Sequence, residues 1–198
     1  MTSPVNATSA GTGPVPALIS PRSPLLQIDH GTATLCLTPQ ADGQLTSADI
    51  IVAAQAPATM TTVNGVRCIS TDVTEGGVPL DLTSGGFPFR GALQFSRAEN
   101  PASVVFQNLY ITFGIPEGKL TATVNNTPLT LATFTVPAAD IHPVGTTQLS
   151  ANNAPFTITG AASSVLQNAF GGSPWPTGSV VMTGSGAGTL KPSALGNI

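Results

Sequence analysis

Charge is what this chain has least of. Of its 198 residues 9 are acidic and 6 basic, so 8% carry charge, against about 25% in an ordinary globular domain. So few scattered cations cannot neutralise a nucleic-acid backbone or hold a polybasic contact to lipid head groups, which excludes nucleic acid as the main partner. Long apolar runs are missing as well. None approaches the roughly 18 residues that a membrane-spanning helix needs, so membrane insertion is not expected. Glu, Lys and Arg, strong helix formers, are scarce, and Pro and Gly recur every few positions, which argues against a helical protein. With only two Cys and two His, and no zinc-ligand spacing among Cys36, Cys68, His30 and His142, no metal site is expected and no cofactor is indicated.

What is present reads as β-structure. Hydrophobic residues make up 41% of the chain and its mean hydropathy is +0.26, alongside 21 Gly and 18 Pro. Apolar, β-branched and aromatic residues gather in runs bounded by turn residues at Leu25 to Thr38, Ala48 to Ala54, Met60 to Ile69, Phe87 to Phe95 and Ser103 to Phe113. A hairpin is expected at Lys119 to Val124 and Thr127 to Val136 around Asn125-Asn126, residues that tolerate the left-handed conformation a type I′ turn demands. Its register would set Val124 against Thr127, Ala122 against Leu129 and Leu120 against Leu131. Phe134 and Val136 then fall on the opposite parity, which implies a bulge, a change of sheet or a second covered face. One short helix is expected near residues 161–170, with Thr159 or Gly160 at its start and Gly171 as its stop. The fold class is all-β, a sandwich or barrel-like sandwich of antiparallel strands.

Residues 1–24 read as an extended Pro/Ser/Thr-rich arm, residues 25–190 as one β-sandwich domain, and residues 191–198 as a tail. The Gly-rich stretch from Gly184 also reads like a linker, with Thr189 and Leu190 able to finish a last strand. No basic and apolar leader follows Met1, so a signal peptide is either lacking or already removed. Cys36 and Cys68, in a polar and nearly uncharged chain, favour an extracellular disulfide that would stabilise the fold by about 3.7 kcal/mol in chain-entropy terms.

Candidate chemistry is thin. Asp29 and His30 are adjacent in a predicted strand and would point to opposite faces, which prevents a simple acid-base couple. Asp140 and His142 could share a face, but no Gly-x-Ser-x-Gly elbow supplies a nucleophile. Asp72, Glu75 and Asp81 form the densest acidic stretch without EF-hand spacing, which reads as a solvated loop. Trp175, between Pro174 and Pro176, is either a lid on the core or a rigid anchor for a partner or a sugar. Tyr110, the only Tyr, is the other candidate ligand-binding residue. No catalytic set emerges.

A surface poor in charge has to be covered by Thr, Ser, Asn and Gln. Together with a long arm, this suits a protein that meets copies of itself, since unpaired charge buried between subunits is costly. The composition therefore points to a non-catalytic structural or assembly subunit of a cell-surface layer, filament or virion shell, extracellular or surface-exposed.

The order of motifs from Phe87 to Leu190 resembles the HtaA domain, the haem-binding β-sandwich module of actinobacterial cell-surface proteins. The resemblance is carried by Phe89-Arg90-Gly91-Ala92-Leu93-Gln94-Phe95, by Asn108-Leu109-Tyr110-Ile111 with Gly118-Lys119-Leu120-Thr121-Ala122-Thr123-Val124, by Leu129-Thr130-Leu131-Ala132-Thr133-Phe134, and by Ala169-Phe170-Gly171-Gly172 before Pro176-Thr177-Gly178. It implies the fold and, as an alternative function, a secreted ligand-binding module related to haem uptake. The sequence departs from the family where haem would sit. The turn Phe95-Ser96-Arg97-Ala98-Glu99-Asn100 has no His, and Tyr110 matches no axial position, so iron has no evident ligand. A carbohydrate-binding adhesin using Trp175 is the remaining alternative.

Overall fold

The computed structural model describes residues 25–79, 84–99, 102–114, 117–135, 141–144 and 148–192; the arm at 1–24 and most of the tail lie outside them. In chain order the elements are β1 (Leu25–Leu37), α1 (Pro39–Ser47), β2 (Ile50–Gln55), β3 (Thr59–Val63), β4 (Val66–Val73) and β5 (Gly77–Pro79). They continue with β6 (Ser84–Phe89), β7 (Ala92–Arg97), β8 (Ser103–Gly114), β9 (Gly118–Val124) and β10 (Thr127–Phe134). The chain then forms β11 (Ile141–Val144), β12 (Gln148–Ile158), α2 (Gly160–Phe170) and β13 (Val180–Pro192).

Period-two burial makes β1 a strand. Ala33, Leu35 and Leu37 are buried while Thr32, Thr34 and Cys36 take the other face. Cys36 lies directly opposite Cys68 of β4, and the two are joined in a disulfide with 3.9 Å between their Cα atoms. The β9–β10 hairpin turns on Asn125 (φ 49°) and Asn126 (φ 64°), both left-handed as a type I′ turn requires. Its register follows the expected pairs of Val124 with Thr127 and Ala122 with Leu129, then shifts so that Leu120 faces Ala132 rather than Leu131. That bulge is what moves Phe134 onto the buried face. Pro128 pairs with Thr123, short of the point where β12 joins β10 at Ala132, so no ladder on its other side needs an N–H from it.

α2 forms as expected. The Thr159 hydroxyl accepts from the Ala162 N–H at 3.3 Å, and Gly171 (φ 74°) closes the helix in the left-handed region. A second helix, α1, was not expected. Thr38 accepts from the Ala41 N–H at 3.1 Å and Pro39 stands in the first turn, so a short helix forms in spite of Gly43. Two runs expected as single strands are also broken. Asn64 (φ 50°) and Gly65 (φ 79°) fold Met60 to Ile69 into the β3–β4 hairpin, and Gly91 (φ 100°) separates β6 from β7. The Gly-rich stretch after Gly184 belongs to a 13-residue strand, β13.

All the pairings are antiparallel, and the architecture is an all-β barrel-like sandwich. β13 pairs with β1 on one side and β12 on the other, so the path β1, β13, β12, β10, β9, β8, β6, β5 returns to β1 as an almost closed ring. Its thinnest point is the single β5–β6 pair, Gly77 with Gly86. β4 and β3 branch from β1, while β7 and β2 branch from the first half of β8. The core is correspondingly divided. Near the helices Phe106, Phe95 and Trp175 make successive edge-to-face contacts with ring centroids 5.7 and 5.6 Å apart. Inside the ring Phe87, Phe113, Phe134 and Phe156 form a second aromatic chain.

Candidate functional site

The most polar cluster is at the outer end of the β1–β13 pair. A register shift between Ile28 and His30 brings the adjacent Asp29 and His30 to one side, contrary to the simple alternation of a strand, with His30 Nδ1 3.4 Å from Asp29 Oδ2. Thr189 Oγ1 lies 2.9 Å from Nδ1 and 3.3 Å from Nε2. A catalytic relay uses one ring nitrogen for the carboxylate and the other for the hydroxyl. Here the hydroxyl is closer to the nitrogen that faces Asp29, and Asp29 and His30 are exposed while Thr189 is half-buried. The cluster therefore works as a polar clasp between strand ends. Lys191 pairs with Asp29 and, by its hydrogen bond first and that of His30 second, holds the Asp29 carboxyl below the ordinary carboxylate range.

The other acidic candidates do not converge. Asp72 is exposed opposite Thr32, Glu75 pairs with Arg90 at 2.9 Å, and Asp81 and Asp140 lie outside the described residues. The backbone of His142 is paired with that of Ser150 on β11 and β12. Among the described residues no three His, Cys, Asp or Glu side chains gather as a metal site, and no helix is long and apolar enough to cross a membrane.

Trp175 is only 2% exposed, and its indole N–H donates to the Ala41 carbonyl of α1 at 3.1 Å. Its own carbonyl accepts from Ser163 of α2 at 3.0 Å and from Ser173 at 2.7 Å. The ring joins the two helices within the core and offers no surface platform. Tyr110 is 41% exposed on the outer face of β8, its ring lying across Gly86. His30 stands on β1, and β5 and β6 run between β1 and β8 in the sheet. Tyr110 and His30 are thus not brought together. Three of the cations are engaged within the fold: Arg67 with Asp42, Arg90 with Glu75, and Arg97 with the carbonyls of Ala48 and Phe170 at 3.0 Å each. These residues do not fit haem.

The feature that sequence reasoning missed is inside the ring, a cavity of about 100 Å³. Phe87, Phe113, Phe134 and Phe156 wall one side and the β13 ribbon from Gly184 to Leu190 the other, and among the described residues no charged side chain lines it. At Gly184 the space a Cβ would occupy is taken by the Phe156 ring, whereas at Gly186 and Gly188 a Cβ would meet mainly the backbone of β1. Bare backbone and aromatic faces give the cavity its apolar character. Half-buried Ile28, Phe113, Ala151 and Leu190 also line it. An eight-stranded ring is just wide enough to be filled by side chains or to hold one small ligand.

Fold and cavity together define a class, a small antiparallel β-ring with an apolar lumen. Its likeness is to the HtaA domains of Corynebacterium glutamicum. The C-terminal domain of HtaA superposes with a TM-score of 0.62 at 18% identity, over 84% of this chain and 99% of that one. A domain-swapped dimer of a histidine-to-alanine variant of the same domain gives 0.52 at 19% identity, over 73% of this chain and 85% of that one. The N-terminal domain of HtaA gives 0.52 at 12% identity, over 81% and 97%. The chain therefore has the HtaA-domain fold, as its motifs from Phe87 onward implied. No protein-family model and no curated protein matches the sequence.

Proposed function

We propose that this chain is a non-catalytic ligand-binding module, secreted or surface-exposed, that holds an apolar ligand in the lumen of its ring. The observation that carries the reading is the uncharged, aromatic-walled cavity inside a fold shared with the HtaA domains. The resemblance to a haem-uptake family favours a binding task over a structural one, and the scattered titratable groups favour binding over catalysis. The Cys36–Cys68 disulfide agrees with an oxidising location outside the cytosol. What the chain does not share with that family is a set of iron ligands, so the ligand is held by apolar contact. The self-assembly reading rested on a neutral surface and on the arm at residues 1–24, and the latter lies outside the described residues.

The test is a titration of the full chain with N-phenylnaphthylamine, an apolar dye that fluoresces when it leaves water, with the mass followed by light scattering. Saturable uptake by a monomer is expected. Assembly that grows with concentration, without dye uptake, would restore the structural-subunit reading.

A further inference from the structure

An apolar cavity of about 150 Å³ admits a benzene ring, and sites for drug-sized ligands run to about 300–1,000 Å³. At about 100 Å³, the lumen suits a slim segment of hydrocarbon. One rim of the cavity is chemically different from its interior. Ile28 and Leu190 line the cavity, while their neighbours in sequence, Asp29 and Lys191, form an exposed ion pair beside His30. An apolar interior next to a polar, charged rim matches an amphiphile whose tail enters and whose head stays in water. No cation lies within the cavity to draw a head group inward.

Resting on the binding-module reading above, we propose that the lumen takes the end of an unbranched acyl chain, its head group lying outside by Asp29, His30 and Lys191. A tail that enters is stripped of water one methylene at a time, so each added CH₂ should tighten binding roughly fourfold, the equivalent of about 0.8 kcal/mol, until the lumen is full. Ala151 faces the cavity from β12, and Phe113 lies at 5.6 Å from Phe87 and 6.1 Å from Phe134 in the aromatic wall. Enlarging the first should close the site, and truncating the second should lengthen it.

The experiment measures displacement of cis-parinaric acid from the full chain by butyrate, hexanoate, octanoate and laurate, and separately by phosphatidylglycerol vesicles. N-phenylnaphthylamine uptake serves as the control for binding of any apolar ligand. Expected are one site per chain, affinity that rises among the shorter acids and levels off once the chain outgrows the lumen, at least tenfold weaker binding in Ala151→Leu, and levelling off at a longer chain in Phe113→Ala. Displacement by fatty acids identifies a free-acid ligand, and displacement by vesicles alone identifies a lipid tail. Dye uptake without displacement by either overturns the acyl proposal and leaves the binding-module reading standing, whereas no uptake of dye or fatty acid overturns both. Acyl binding equal in wild type, Ala151→Leu and Phe113→Ala would place the ligand elsewhere and also overturn the proposal.

Discussion

At the scale of single residues, Trp175 ties the two helices to each other and to the core. Its N–H reaches Ala41 of α1 while its carbonyl takes Ser163 of α2, and its ring meets Phe95 edge-on. Trp175→Phe keeps most of the apolar area but leaves the buried Ala41 carbonyl without this donor. A loss of about 1–3 kcal/mol in urea denaturation, with an unchanged m-value, is expected. A change under about 0.5 kcal/mol, together with quenching of Trp175 fluorescence by added glycans, would instead indicate an exposed platform. The sequence Pro-Trp-Pro is the same whether the ring points in or out, and only the Ala41 carbonyl of α1, distant in sequence, decides between the two. Tyr110 and His30 were legible only as isolated residues. Whether they meet depends on β5 and β6 running between their strands, a non-local fact.

At the scale of elements, the Cys36–Cys68 bond staples β1 to β4 at the last pair of their ladder, across 32 positions of sequence. Replacing both with Ala should lower stability by about 2–4 kcal/mol, chiefly by releasing the unfolded chain, which thermal or urea unfolding of the double variant against the oxidised wild type will measure. Equal stability in the two would mean that the ladder alone specifies the pairing. Local signals carried much of the element reading. The Asn125-Asn126 turn and the Thr159 to Gly171 caps are each set by a few neighbouring residues, and both formed where expected. The Asn64-Gly65 turn carries the same signal in stronger form, but it was submerged in an apolar run read as one strand. α1 hid behind its Gly and its low content of charged helix formers, although Thr38-Pro39 marks its start. β13 was the hardest to see. Its inward positions Gly184, Gly186 and Gly188 carry no side chains because a neighbouring ring and the backbone of β1 occupy or border that space, so the strand has no apolar period to read.

At the scale of the whole molecule, the proposed function depends on how the ring closes. The cavity draws its walls from β1, β4, β6, β8, β10, β12 and β13, strands scattered along the chain, and no window of sequence contains enough of them to announce a lumen. The family resemblance did announce the fold, since it rests on the order of motifs. On the proposed function this fold holds an apolar chain and not an iron-ligated haem. Native mass spectrometry of the full chain mixed with equal amounts of laurate and haemin, with the absorption spectrum taken in parallel, tests it most directly. One laurate per chain and no Soret band of ligated iron is the predicted result; a haemin adduct with a Soret band that disappears in Tyr110→Phe, and no laurate, would contradict it.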